Sequence, residues 1–193
     1  PKRLKDHVGD VRYRFHNVHG LTERAFRQHY LGRARATCDV LALVETNCVS
    51  DEQAAVWARD WHGSSGTFWT PCPPELVPST GGSARGVAIL FSSNLGDVQA
   101  SVLWKDPRGR GLAIKALIRN IPTIIVAFHA DNKARPDKHW SADRAQAESY
   151  ASLKANVPYH ADHEYILLLD ANNVPNPDLD EQRADGGPPV HSH

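Results

Sequence analysis

Tyr165-Ile-Leu-Leu-Leu-Asp170-Ala-Asn172-Asn173-Val-Pro-Asn-Pro-Asp178-Leu-Asp180 is the stretch that decides the fold. Its apolar run stops on an aspartate, and an asparagine follows two residues later. A continuous apolar run of this length, closed by turn formers, reads as a buried strand. Asn, Pro and Asp then turn the chain at once. The Asp170 carboxylate therefore emerges at the strand's exit, where α/β proteins build sites on loops carried by rigid strands. A second apolar run, Val40-Leu-Ala-Leu-Val-Glu45-Thr-Asn47, ends the same way. Two buried strands, each delivering a carboxylate and an amide at its exit, point to a metal-assisted phosphate site.

The chain has 193 residues, 41% of them hydrophobic, and reads as one globular domain with a substantial core. Residues 1–10 and 183–193 read as its flexible ends. No run approaches the ~20 apolar residues that span a bilayer, so no membrane partner is expected. Pro1-Lys-Arg-Leu-Lys-Asp-His has positive charge without an apolar stretch behind it, unlike a signal peptide. The lack of any Met reads as a segment excised from a longer chain. Cys38, Cys48 and Cys72 are odd in number and form no Cys-x-x-Cys pair, which argues against disulfide frameworks and zinc sites and for small packing residues. Net charge is zero but uneven: +6 over residues 1–35 and −6 over residues 160–193. The basic end suits either a solvated first helix or a polyanion, and the acidic end suits metal-binding carboxylates.

Residues 11–17 alternate apolar and polar as a half-buried strand does. Thr22 and Glu23 open a helix in which Ala25, Phe26, Tyr30, Leu31 and Ala34 recur at helical spacing. After the 40–44 strand, Ser50 as N-cap and Gln53 in capping-box position start a second helix with Ala54, Val56, Trp57 and Trp61 inward. A short strand follows at 67–70, then a Pro/Gly/Ser/Thr loop at 71–83. Strands are expected at 87–91, 100–105, 111–119 and 123–129. They are joined by hairpin-length turns at 92–97, 106–109 and 120–122, which makes this section antiparallel. A helix from Asp137 to about Asn156, with Trp140, Ala147, Tyr150 and Leu153 inward, precedes the Tyr165–Asp170 strand. The tail from Asp185 reads as unstructured. This order fits two sheets between two helical layers, a four-layer α/β sandwich.

Asn17, Glu45, His129, Asp131, Asn132, Asp170 and Asn172 all fall at a strand end or just beyond it. Carboxylates from Glu45 and Asp170 with amides from Asn17 and Asn172 form a hard-oxygen set of the kind Mg2+ or Mn2+ takes, rather than Zn2+. His129 is suited to stabilise or protonate a phosphoryl oxygen. Three other features carry less. Ser79-Thr-Gly-Gly-Ser-Ala-Arg85-Gly86 precedes a strand and lacks a Gly-Lys-Ser/Thr ending, so it reads as a turn, with Arg85 able to reach a phosphate. His160-Ala-Asp-His163 reads as a solvated turn. Lys105, Arg108, Arg110 and Lys115 form either an ordinary charged hairpin or a track for a nucleic-acid backbone.

Asn17-Val-His-Gly20-Leu, Leu43-Val-Glu45-Thr, Gly86-Val-Ala-Ile-Leu, Gly109-Arg110, Phe128-His129-Ala-Asp131-Asn132 and Leu169-Asp170-Ala-Asn172 occur in the order found in the endonuclease/exonuclease/phosphatase superfamily, which the chain resembles from about residue 11 to 180. The first two motifs look most like LINE-type retroelement endonucleases, which would act in the nucleus. The resemblance implies the DNase I-like fold, hydrolysis of a phosphodiester with Mg2+ or Mn2+, and DNA as the partner. It implies that Glu45 and Asn17 hold the metal and that His129, Asp170 and Asn172 are catalytic. Asp170 would activate water, Asn172 would hold the scissile phosphate, and Asn132, Arg85 and Arg110 would bind substrate.

Three departures stand out. Asp131 replaces the proline of a Pro-Asn pair. Leu169 replaces a glycine. The family's later Ser-Asp-His motif has no counterpart before His193, and His191 and His193 lie in a Gly/Pro-rich tail. The chain thus reads as the N-terminal three quarters of the domain, lacking the final strands. The expected function is a metal-dependent endonuclease. The alternatives are a phosphatase or phosphodiesterase of small phosphoesters, and an inactive remnant without the C-terminal histidine.

Overall fold

Every residue of Val40–Val44 and of Val87–Phe91 is buried, because each strand is covered on both faces. The computed structural model describes residues 10–61, 66–77, 85–130 and 142–171. In it β1 (Tyr13–Asn17), β2 (Val40–Val44), β3 (Thr67–Thr70) and β4 (Val87–Phe91) form one sheet in the order β1-β2-β4-β3. The second sheet is β5 (Gln99–Lys105), β6 (Gly111–Ile118), β7 (Ile121–His129) and β8 (Glu164–Asp170), in that order.

The side-chain alternation of the central strands sorts the core into layers. Leu41, Leu43, Ala88 and Leu90 face Leu31, Ala34, Trp57 and Trp61 of α1 (Arg24–Thr37) and α2 (Asp51–Trp61). Val40, Ala42, Ile89 and Phe91 face Leu112, Ile114, Ile125 and Ala127 across the gap between the sheets. Ile124, Val126 and Phe128 turn outward onto Tyr150 and Leu153 of α3 (Ala142–Asn156). The expected four-layer sandwich is the observed one.

Local chemistry sets the helix starts. The Glu23 carboxylate accepts from the N–H groups of Ala25 and Phe26 and caps α1. Ser50 Oγ accepts from Gln53 N at 3.1 Å, and Gln53 Oε1 returns to the N–H of Val49 at 2.8 Å. The capping box therefore closes one residue early. At the far end of α2, Trp61 Nε1 donates to the buried Phe91 carbonyl at 2.7 Å and ties the helix to β4. The three cysteines are buried thiols, and burial pushes Cys48 up to about 11, so they serve as packing residues.

Several expectations are corrected. The 92–97 connection is not a hairpin: it carries the chain from β4 in one sheet to β5 in the other. Strand β4 is apolar on both faces because it lies inside its sheet, between β2 and β3. The β6–β7 turn is Arg119-Asn120, with φ of 50° and 65°, the left-handed pair of a tight two-residue hairpin. Pro122 therefore lies within β7, opposite Leu117, next to the pair that flanks the turn. That opposition makes no ladder bond, so the missing N–H costs nothing there.

Val56 is 51% exposed because the inner stripe of α2 is Ala54, Trp57 and Trp61. Ala147 is exposed too, since Ala145 and Ser149 hold the inner positions of α3. Strand β8 is half-buried rather than buried, with Leu167 56% exposed, because among the described residues it is an edge strand paired only with β7. Residues 78–83 of the expected 71–83 loop, the helix start at 137–141 with Trp140, and both flexible ends except Asp10 lie outside the described residues.

The β1–β2 and β7–β8 pairs are parallel, and each is joined through a helix, α1 or α3. An ion pair anchors the first at its start. Arg12 donates to both oxygens of Asp39 through its side chain, and its N–H adds a third bond at 2.9 Å. The guanidinium bonds hold the Asp39 carboxyl below its usual range. A depressed folded pKa contributes stability above the unfolded value, and that contribution is lost as pH falls through the folded one. Asp39→Asn should therefore lower the melting temperature at neutral pH and flatten its fall below about pH 5. Equal slopes for both proteins in a pH series of thermal melts would contradict this.

Candidate active site

Register brings the strand exits together. Asn17 ends β1 opposite Val44, and His129 ends β7 opposite Asp170, the last residue of β8. Asn17 Nδ2 donates to Asp170 Oδ2 at 3.0 Å across the two sheets. His129 Nε2 lies 3.2 Å from Glu45 Oε1 and 3.8 Å from Asp170 Oδ2. Four of the residues singled out in the sequence thus meet at one rim.

Glu45 reaches that rim through a break in the ladder. Val40 to Val44 pair regularly with Phe91 to Val87, but Thr46 N then bonds Gly86 O and Asn47 N bonds Arg85 O. The register has slipped by one, and Glu45 is the extra residue of a bulge, with φ of 54°. A left-handed glutamate is strained. Gly86 makes the slip feasible: its φ is 86°, and a Cβ there would lie 2.4 Å from Thr46 Oγ1. Gly86 N in turn donates to Gly109 O at 2.8 Å, which joins the bulge to the β5–β6 turn.

Arg110 sets the state of His129. It is buried, and its Nη1 lies 3.1 Å from His129 Nδ1 and 3.2 Å from the Ala130 carbonyl. A guanidinium only donates, so Nδ1 accepts and the ring proton sits on Nε2, facing the carboxylates. Arg110, expected to bind substrate, is buried with its guanidinium against the imidazole. Arg85 is half-buried and donates to the Arg108 carbonyl at 3.0 Å, beside the bulge. Asn132, Asn172 and Asp131 lie outside the described residues.

The charged hairpin does not form one patch. Lys105 lies 3.9 Å from Asp51, Arg108 sits 3.6 Å from Asp106, Arg110 is buried, and Lys115 is exposed on the outer face of β6. His160 to His163 is the expected turn, closed by His163 N to His160 O at 3.2 Å, but it is not fully solvated, since the His163 side chain is only 6% exposed.

Three features escape the sequence reading. Gln146 Nε2 and Tyr150 Oη both donate to the Ala171 carbonyl, at 2.8 and 3.3 Å, and so fix the chain just past Asp170. Burial, then the Asp170 charge, raises the Tyr150 pKa. The four-residue spacing of this pair on one helix face is its only sequence signal. The Glu45 bulge has a signal in Gly86. His19 Nδ1 lies 2.9 Å from Glu45 Oε2, and nothing in the motif distinguishes it from a turn residue. Among the described residues no three His, Cys, Asp or Glu side chains converge on one point, since His19 and His129 take opposite oxygens of Glu45.

A family model, Endonuclease/Exonuclease/phosphatase family, matches residues 15–188. The chain belongs to this family. Among solved structures, an endonuclease/exonuclease/phosphatase family protein from Leptotrichia buccalis C-1013-b aligns with a TM-score of 0.51 at 14% identity, over 84% of this chain and 67% of its own. The AP endonuclease LMAP from Leishmania major gives 0.52 at 18%, over 83% and 54%. A D. rerio TDP2, humanized by 14 mutations, gives 0.54 at 12%, over 84% and 62%. At these identities the likeness shows the fold. The chain spans between about half and two thirds of the length of these structures. No sequence match was found among curated proteins.

The bulge yields a prediction for this family member. Gly86→Ala adds a left-handed alanine and a clash with Thr46, so it should cost about 1–3 kcal/mol in a urea titration. A loss below about 0.5 kcal/mol would mean that the slip at Glu45 does not need glycine.

Proposed function

We propose that this chain carries a divalent-metal-dependent phosphodiesterase site that cleaves nucleic acid, DNA in the first instance, as an endonuclease. The observation that supports it most is that Asn17, Glu45, His129 and Asp170 come from both sheets to one rim, with Asn17 bonded to Asp170 and His129 Nε2 lying 3.2 Å from Glu45 and 3.8 Å from Asp170. Two carboxylates that share one imidazole repel each other, and a cation between them relieves that repulsion. The donors fit a hard ion: the Glu45 carboxylate is 13% exposed, and the Asn17 amide oxygen accepts from the N–H of His19, whose ring meets that carboxylate. Glu45 and Asn17 would hold Mg2+ or Mn2+. When bound, such an ion neutralises charge developing on the phosphate and its leaving oxygen.

The remaining work falls to the chain's own groups. Asp170 Oδ2, oriented by the Asn17 amide, accepts a proton from the attacking water. His129 presents Nε2–H to a phosphoryl oxygen, and Arg110 holds that tautomer from behind. Arg85 offers charge to a flanking phosphate. Asn172 and Asn132, on motif grounds, take the scissile phosphate and the substrate. The paired motifs at Asn17–Leu21 and Leu43–Thr46 support a LINE-type retroelement endonuclease, which a reverse transcriptase in the same genomic reading frame would bear out.

A second reading, hydrolysis of small phosphoesters, is favoured by the zero net charge and the dispersed hairpin cations. One assay separates the two. The chain should nick supercoiled plasmid with Mg2+ or Mn2+, stop on chelation, and lose about 10²-fold or more in Glu45→Ala and Asp170→Ala. Nicking that survives either substitution would overturn the site. Hydrolysis of bis(p-nitrophenyl) phosphate without nicking would select the small-substrate reading.

A further inference from the structure

His19 is an exposed side chain in a place that a merely solvated turn residue does not need to occupy. Its φ is 49°, and its N–H donates to Asn17 Oδ1 at 3.2 Å, an Asx-type turn that partly offsets the left-handed backbone. The turn is clamped on both sides. Val18 N donates to Val44 O at 3.1 Å, and Leu21 N donates to Thr46 O at 2.9 Å. Gly20, with φ of 114°, lets the turn lie close, since a Cβ there would stand 2.8 Å from Asn47 Nδ2. The loop after β1 is thus pinned against the bulge after β2. Its imidazole is 79% exposed, yet Nδ1 sits 2.9 Å from Glu45 Oε2.

We infer that His19 is itself a ligand of the divalent ion that Glu45 holds, and that its nitrogen makes this site favour Mn2+ over Mg2+ more than an all-oxygen site would. The inference rests on the phosphodiesterase reading. Two neighbouring ligands on an octahedral ion, each about 2.1 Å from it, lie about 3.0 Å apart. The separation of Nδ1 from Oε2 is that edge, so an ion can bridge the pair with little movement of either side chain. His129 cannot supply the same nitrogen, because its Nδ1 is taken by Arg110 and its Nε2 carries the proton. Of the two neutral imidazole tautomers, the one with Nε2–H leaves the Nδ1 lone pair to an ion. Glu45, Asn17 and His19 leave the other positions to water and phosphate oxygen. Imidazole is a better ligand for Mn2+ and later transition ions than for Mg2+, which prefers oxygen.

The alternative is that His19 only steers the Glu45 carboxylate through a hydrogen bond. A steering residue would support either ion alike. The test therefore compares His19→Asn, which tolerates the left-handed turn, with the unaltered chain and with Glu45→Ala. Mn2+ and Mg2+ binding is measured by calorimetry, and pulsed EPR reads nitrogen coupled to bound Mn2+. The expected result is that His19→Asn loses the nitrogen modulation and weakens Mn2+ about ten-fold more than Mg2+, the scale on which metal sites feel a lost partner. A retained modulation, or an equal loss for both ions, would overturn the inference and leave the phosphodiesterase reading standing. Mn2+ binding untouched by Glu45→Ala would overturn both.

Discussion

Two parallel strand pairs, one from each sheet, end at the same rim of the sandwich, and everything else about the site depends on that. The β1–β2 and β7–β8 pairs are each joined by a helix, which must lie on the outer face of its own sheet. That leaves the inner faces to Val40, Ala42, Ile89, Leu112, Ile114 and Ile125, which close the gap between the sheets. Burial of these side chains provides the adhesion. The hydrogen bond from Asn17 to Asp170 at 3.0 Å then registers one sheet on the other at the rim.

The site is strained and charged, and the surrounding structure over-determines it. Glu45 holds a left-handed φ of 54° because the ladder resumes on both sides of the bulge, at Val44 and at Thr46. His129 keeps one tautomer because a buried guanidinium stands behind it. Asp170 leaves β8 in one direction because Gln146 and Tyr150 grip the next carbonyl. Each supporting group lies outside the set that would touch a substrate. Such an arrangement fixes these side chains without the help of a bound ligand.

Much of this was legible in the sequence, and the reasons divide cleanly. Val40–Val44 and Val87–Phe91 are apolar throughout, so their double burial could be read directly, and Glu45 and Asp170 stand where apolar runs stop. Six short motifs in order carried the family. Long-range pairing was harder to see. Asn17 and Asp170 are 153 positions apart, and no local pattern joins them. The change of sheet between β4 and β5 was hidden because a crossover of that length looks like a hairpin. The β8 strand looked buried because Leu167 continues the apolar run while standing on an edge. Arg110 looked like a surface cation because its role depends on His129 folding over it.

The claim that stacking of the two sheets assembles the site is most directly tested by a double-mutant cycle on Asn17 and Asp170, read by chemical denaturation. If the contact registers one sheet on the other, Asn17→Ala and Asp170→Ala should couple by about 1.5 kcal/mol, the low end for a hydrogen bond to a charged group. Losses that add within about 0.3 kcal/mol would show that the two strand exits do not meet, and would contradict the account.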